Sequence, residues 1–253
     1  MIPHGVASGR SSMPFKKLVQ GPRPKRGRGR LAKDERLMLE AILYILRVAC
    51  PWRDLPQSFG PWSSVYTRWR RWTLSGTWDQ ILEILKNDAV GALTFLDSTH
   101  VKVHQDATNA VEGQEFEGIG RTKGGLNSKV TAVVDSRGRA TQLFIHPGNV
   151  ADITAAESIE IPEGRWVVAD KGYDSDAFRS RISQSGSKSS IPPKSNRKTL
   201  PKWHRGHYRR RHHVENFFQR IKRFRRISTR YEKHAVTFLA FVQLAAIMDW
   251  LKT

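Results

Sequence analysis

Residues 92–103, ALTFLDSTHVKV, mark the point where the chain changes character. Before them, apolar residues recur at helical spacing. From Leu93 onward they come in short extended runs, and the first run ends on a carboxylate, Asp97. Toward the C-terminus, residues 129–135 and 140–146 alternate about the turn SRGR, which signals a β-hairpin. Residues 151–160 read as a short helix before Pro162, and 166–169 as a buried strand that ends at Asp170. Residues 175–185 are helical by the spacing of Ala177, Phe178 and Ile182, and 189–191 form a short strand before two prolines. Residues 104–128 are polar, glycine-rich and without period, which predicts a long loop.

The order strand, hairpin, helix, strand, helix, strand, helix is that of ribonuclease-H-like α/β domains. The expectation is a mixed five-stranded sheet with flanking helices over residues 92–253. The order of strands within the sheet does not follow from periodicity.

Beyond the last strand lies HYRRRHHVENFFQRIKRFRR (207–226), which reads as one long helix. Its single carboxylate, Glu215, falls on a narrow stripe with Tyr208, Arg211 and Lys222, because spacings of three, four and seven are helical repeats. Val214, Phe218 and Ile221 form a neighbouring apolar stripe suited to a core. The apolar run 235–251 is too short to span a bilayer and reads as a buried helix.

Toward the N-terminus, residues 34–91 hold three helices. The first is capped by Asp34 and stopped by Pro51. The second, 63–73, has Val65, Trp69 and Trp72 on one face and Arg68, Arg70 and Arg71 around the others. The third opens with a capping-box pattern, Thr77-x-x-Gln80, and offers Trp78, Ile81, Leu82 and Leu85 for burial. The PWRDLP turn (51–56) is expected to fix the angle of the first two helices through Trp52. The segment suits a helix-turn-helix-like DNA-binding module, and equally an ordinary helical subdomain with a solvated basic face. Residues 1–33 read as a flexible basic arm, laid on phosphates or simply a leader.

Forty-three basic against 23 acidic residues give a net charge of +20, a balance that points to a nucleic-acid partner. A lone cysteine, Cys50, excludes an internal disulfide framework and a cysteine-rich zinc site. No apolar signal-peptide core opens the chain, so a cytoplasmic protein without a membrane is the expectation.

Asp97 and Asp170 each follow an apolar strand. Carboxylates at the ends of neighbouring strands project into one crevice, and two such acids repel unless a cation lies between them. A third carboxylate from a helix crossing that edge would complete a site for two Mg²⁺ ions, and Glu215 is the candidate. Asp135, Asp152 and Asp174 read as turn or cap residues. His204, His207, His212 and His213 crowd one region without a zinc-binding pattern. The run from Gly118 to Lys123 lacks the last glycine of a dinucleotide fingerprint, so Arg121 and Lys123 are candidates for phosphate contacts or for plain solvation.

Several ordered motifs resemble one family. Tyr208-x2-Arg211-x3-Glu215-x6-Lys222 matches the Y-x2-R-x3-E-x6-K signature of bacterial insertion-sequence transposases of the DDE type, in the group around insertion sequences 4 and 5. LDSTH at Asp97 and ADKGYD at Asp170 resemble its catalytic blocks, and PWRDLPQSFGPWSSVYTRW and GIGRTKGGLNSKV are similar to other conserved stretches of that group. The resemblance covers about residues 35 to 251. It implies that Asp97, Asp170 and Glu215 hold two Mg²⁺, with Mn²⁺ as substitute, for in-line cleavage and joining of double-stranded DNA at transposon ends and target. It also implies a homodimer in a synaptic complex, associated with the bacterial nucleoid. Tyr208, Arg211, Lys222, Arg68, Arg70, Arg71, Arg121 and Lys123 are the expected DNA contacts. Arg211 has a second reading, as an i,i+4 partner that orients Glu215, worth only ~0.3–0.5 kcal/mol if exposed. The alternatives are a catalytically lapsed or domesticated copy that only binds DNA, and a structure-specific nuclease of the same fold.

Overall fold

The computed structural model describes residues 34–108 and 113–252. The expected basic arm, residues 1–33, lies outside them. Helix α1 (Glu35–Val48) starts where Asp34 accepts a hydrogen bond from the Arg36 amide at 3.0 Å, and it ends at Ala49 in a left-handed conformation. It buries Met38, Ala41, Ile42, Ile45 and Leu46, the face that its apolar spacing defines. Helix α2 (Trp62–Leu74) buries Val65, Trp69 and Trp72, and α3 (Thr77–Lys86) buries Trp78, Ile81 and Leu82. The expected capping box on α3 is absent. The reversal out of α2 needs a positive φ, which Gly76 supplies at 68°, so Gly76 takes the cap position and Thr77 becomes the first helical residue. Gln80 Nε2 instead donates to the Ser75 carbonyl. Trp52 does anchor the first turn, its ring 5.2 Å from Tyr66 and 6.2 Å from Phe241.

Strand β1 (Leu93–Val103) is longer than its apolar run. It continues past Asp97 because β3 pairs with it as far as Lys102, so Asp97 sits within the strand rather than at its end. The stretch expected as loop contains β2 (Gly120–Thr122), which turns tightly through Gly125 (φ 96°) into β3 (Gly125–Val134). Strand β4 (Ala140–Pro147) closes the predicted hairpin, whose turn is held by Asp135 accepting from the Arg137 and Arg139 amides. After β4 come α4 (Asp152–Ala155), β5 (Trp166–Val168), α5 (Asp176–Gln184) and β6 (Lys188–Ser190). The strands lie in the order β4-β3-β1-β5-β6, with β3 antiparallel and β5 and β6 parallel to β1. Short β2 extends the edge of β3, and β7 (Thr229–Arg230) pairs with the far end of β1. This is the five-stranded ribonuclease-H-like arrangement, with two short additions.

The expected single helix over 207–226 is three pieces: α6 (Arg205–Arg209), α7 (His212–Ile221) and α8 (Arg225–Ser228). At the first junction the Arg211 and His213 amides reach carbonyls three residues back, Tyr208 and Arg210. That tighter turn lets α6 lean on Trp166 through stacked His204 and His207, while α7 lays Val214, Phe217, Phe218 and Ile221 on the sheet. No proline or glycine marks the break, so the pattern hides it.

Helix α9 (Ala235–Trp250) is apolar on nearly every side and almost wholly buried. It packs against α2, α3, α7 and β4, and Phe241 stacks on Trp69 with centroids 4.0 Å apart. The N-terminal helices, α7, α9 and one face of the sheet therefore share one core, while α4 and α5 cover a smaller core on the other face. Among the described residues no helix is long and apolar enough to cross a membrane.

Candidate active site

Strands β1 and β5 run in parallel, with Leu93 beside Trp166, Thr94 beside Val167 and Phe95 beside Val168. The pairing stops at Val168, and Asp170 follows two residues later at the cap of the next turn, close enough for its charge to act on Asp97. A two-residue step along a strand keeps the face. Phe95 and Val168 belong to the core beneath α7, whereas Leu96 and Ala169 belong to the opposite core. Asp97, two residues after Phe95 in the same strand, thus lies on the side of α7.

Glu215 comes from the first turn of α7, exposed above the buried stripe that seats the helix. Arg211, immediately before α7, joins it to the sheet. Arg211 Nη1 donates to Asp97 Oδ2 at 2.7 Å and Nη2 donates to Glu215 Oε1 at 2.5 Å. Both readings of Arg211 therefore understate it: the side chain bridges two of the three acids.

The electrostatics agree with this convergence. Burial pushes the Asp97 carboxyl up to about 6, against the opposing pull of Arg211 and the Ser98 amide, and the charges of Asp170 and Glu215 raise it further. The neighbouring acids hold the Arg211 guanidinium above its ordinary value despite its own desolvation. Asp170 accepts from the Gly172 amide at 2.8 Å and so caps the turn Lys171–Tyr173. A β-carbon on Gly172 would stand 2.9 Å from Asp170 Oδ1 and 2.9 Å from Asp152 Oδ2, so glycine leaves room for two carboxylates there.

The donor set of three carboxylates is that of a hard divalent cation. In this arrangement, however, no three His, Cys, Asp or Glu side chains among the described residues are grouped to hold a metal ion. A guanidinium stands between Asp97 and Glu215.

The other candidates divide. Lys222 donates to Thr99 Oγ1 at 2.6 Å and to the His100 carbonyl at 3.1 Å, pinning the end of α7 to β1, and burial lowers its proton affinity. Tyr208 is half-buried with Arg211 5.8 Å from its ring centre. Arg68 is paired with Glu35 at 3.1 Å and lies over Trp72. Arg70, Arg71, Arg121 and Lys123 are exposed. The histidines stack in two pairs, His204 with His207 and His212 with His213. Asp174 is fully engaged by Arg179, Arg197 and the Lys194 amide, and Asp135 by Arg139.

Sequence reasoning missed Asp152 as a neighbour of Asp170. It starts α4 and pairs with buried Lys129 at 2.7 Å, and only contact across the sheet edge reveals its place. It also missed the network behind Asp97, in which the Ser98 hydroxyl shares hydrogen bonds with Tyr173 (2.7 Å) and Thr131 (2.8 Å).

Residues 89–250, more than half of the chain, match the family model "Transposase DDE domain", and residues 15–82 match "Putative transposase of IS4/5 family". Among curated relatives, the "Putative transposase for insertion sequence element IS6501" of Brucella ovis is 36% identical over 131 residues, half of this chain and the whole of that protein. The "Insertion element IS402 uncharacterized 16.2 kDa protein" of Burkholderia cepacia is 41% identical over 73 residues, 27% of this chain and 49% of that one. Among solved structures, the piggyBac transposase synaptic complex with hairpin DNA aligns at 13% identity and a TM-score of 0.39 over 74% of this chain. This chain spans 48% of that protein's length, and a likeness so remote carries no weight here. On the family models and the Brucella relative, the chain belongs to the DDE transposases of the insertion-sequence 4/5 group.

Proposed function

We propose that the chain binds the terminal inverted repeats of its own insertion sequence, cleaves the DNA strands there and transfers the 3′ ends to a target duplex, with Asp97, Asp170 and Glu215 as the metal ligands. What supports this reading is that Arg211 ties Asp97 to Glu215, and that the charges of Asp170 and Glu215 both act on the buried Asp97 carboxyl. When bound between them, divalent metal (Mg²⁺, with Mn²⁺ as substitute) supplies activation of the attacking oxygen and stabilisation of the leaving one.

The chain's own residues set the stage. The parallel pairing of β1 and β5 holds the segments that carry Asp97 and Asp170 side by side, and the apolar seat of α7 holds the helix that carries Glu215. The Gly172 amide orients the Asp170 carboxylate, and Lys222 holds α7 to β1 on the same edge. Arg211 and Tyr208 border the acids, where a phosphate of the scissile strand would lie. Arg70 and Arg71 on α2, Arg121 on β2 and Lys123 in the β2–β3 turn are exposed to solvent and serve as phosphate contacts. Bringing two ends together calls for a homodimer.

The test is mutational. Asp97→Asn, Asp170→Asn and Glu215→Gln are each expected to abolish strand cleavage of a donor carrying the element's ends, while gel-shift affinity for those ends stays within a few-fold. Cleavage surviving in any one of them removes that residue from the set. Binding without any cleavage by the unaltered protein would instead support a copy that only occupies DNA.

A further inference from the structure

The Arg211 guanidinium lies between Asp97 and Glu215 and donates to both, at 2.7 Å and 2.5 Å. Its side chain remains 21% exposed, so one edge is open to an incoming group. First, two acids facing each other need a compensating cation, and Arg211 provides it from within the chain. Second, Arg211 donates to Asp97 Oδ2 and Glu215 Oε1, which a divalent cation between these acids would also need. The guanidinium and the cation therefore compete for them. Third, a planar guanidinium pairs with a phosphate through two parallel hydrogen bonds as well as it does with a carboxylate. Arg211 lies at the backbone turn before α7, so a swing of its side chain exchanges one partner for the other without moving the helix.

We infer that Arg211 is a stand-in cation that couples metal binding to DNA binding: it neutralises Asp97 and Glu215 in the free protein, and a backbone phosphate of the bound duplex draws it off and opens the acids to metal. Metal and duplex then raise each other's affinity by the same factor, as linkage requires. This rests on the reading of Asp97, Asp170 and Glu215 as metal ligands. A free molecule carrying closed acids would not cleave DNA at random, and the site would open only on a seated duplex.

The experiment titrates Mn²⁺ into the full chain and follows the free ion by electron paramagnetic resonance, with and without a mixed-sequence duplex, subtracting Mn²⁺ held by the duplex alone. For the unaltered protein, duplex is expected to tighten Mn²⁺ binding by about tenfold. Arg211→Gln is expected to bind Mn²⁺ without DNA as tightly as the unaltered protein does with it, and to gain little from duplex. Arg211→Lys keeps the charge but cannot span both acids, and it should fall between the two. Arg211→Gln and Arg211→Lys binding no more tightly than the unaltered protein, or retaining its full response to duplex, would overturn the inference. Asp97→Asn separates the two levels. If it abolishes Mn²⁺ binding while the Arg211 variants behave as the parent, only the coupling falls. If it leaves Mn²⁺ binding unchanged, the ligand assignment falls and the coupling with it.

Discussion

Gly172 shows how little slack the acidic cluster has. Its missing side chain is the space into which Asp170 Oδ1 and Asp152 Oδ2 both project, each 2.9 Å from where a methyl would start. Gly172→Ala must push at least one carboxylate aside. The relief needed is a few tenths of an ångström, less than the ~1 Å displacement that costs roughly 100-fold in rate, so cleavage is expected to drop about three- to tenfold with duplex affinity unchanged. A gel-based cleavage assay beside a binding titration checks it, and full activity in Gly172→Ala would mean that the Asp170 carboxylate tolerates displacement. The sequence singles out the proposed ligands by position, Asp97 and Asp170 after apolar runs and Glu215 as the one acid of a basic helix. The bridge from Arg211 to Asp97 was not legible, because it joins residues 114 positions apart and depends on how α7 is seated. Asp152 was hidden for the same reason: a carboxylate opening a helix is commonplace, and only the tertiary fold sets it beside Asp170.

Among the elements, the β5–α5–β6 unit is tied down by Asp174, whose carboxylate takes hydrogen bonds from Arg179, Arg197 and the Lys194 amide. Burial alone would raise this carboxyl, but those donors outweigh it and hold the group below the usual carboxylate range. A group depressed in the folded state contributes its stability above its unfolded value, about 3.9, and loses it as pH falls through the folded value. Asp174→Asn is therefore expected to cost about 3 kcal/mol at neutral pH, with the gap to the parent closing below about pH 4. Urea titrations across that range measure it, and a gap independent of pH would rule out the ionic account. Element types were readable wherever apolar spacing was regular, as in α1, α2, the β3–β4 hairpin and α9. Boundaries failed where long-range pairing decides them. β1 outruns its apolar core because β3 holds it, β2 forms only against the start of β3, and the basic helix breaks because its two halves rest on different surfaces.

For the molecule as a whole, a net charge of +20 predicts duplex affinity dominated by release of counterions. The logarithm of the association constant should fall steeply and linearly with the logarithm of salt concentration, and a flat response in fluorescence anisotropy titrations would contradict the electrostatic account. The fold class was readable from the order of elements, but strand order was not, since periodicity carries no information about neighbours. The shared core was equally invisible, because a helix that is apolar all round does not declare its partners. That core has a consequence for exchanging parts between such enzymes. α9 is the last helix of the described chain, yet its aromatic residues are the floor on which α2 and α3 stand, with Phe241 against Trp69 and Gln243 bonded to Asp79. The N-terminal helices therefore cannot be traded between related elements as a cassette. A chimera that imports new helices in place of α2 and α3 must also import the matching side chains of α9, and one that exchanges the helices alone is expected to lose stability.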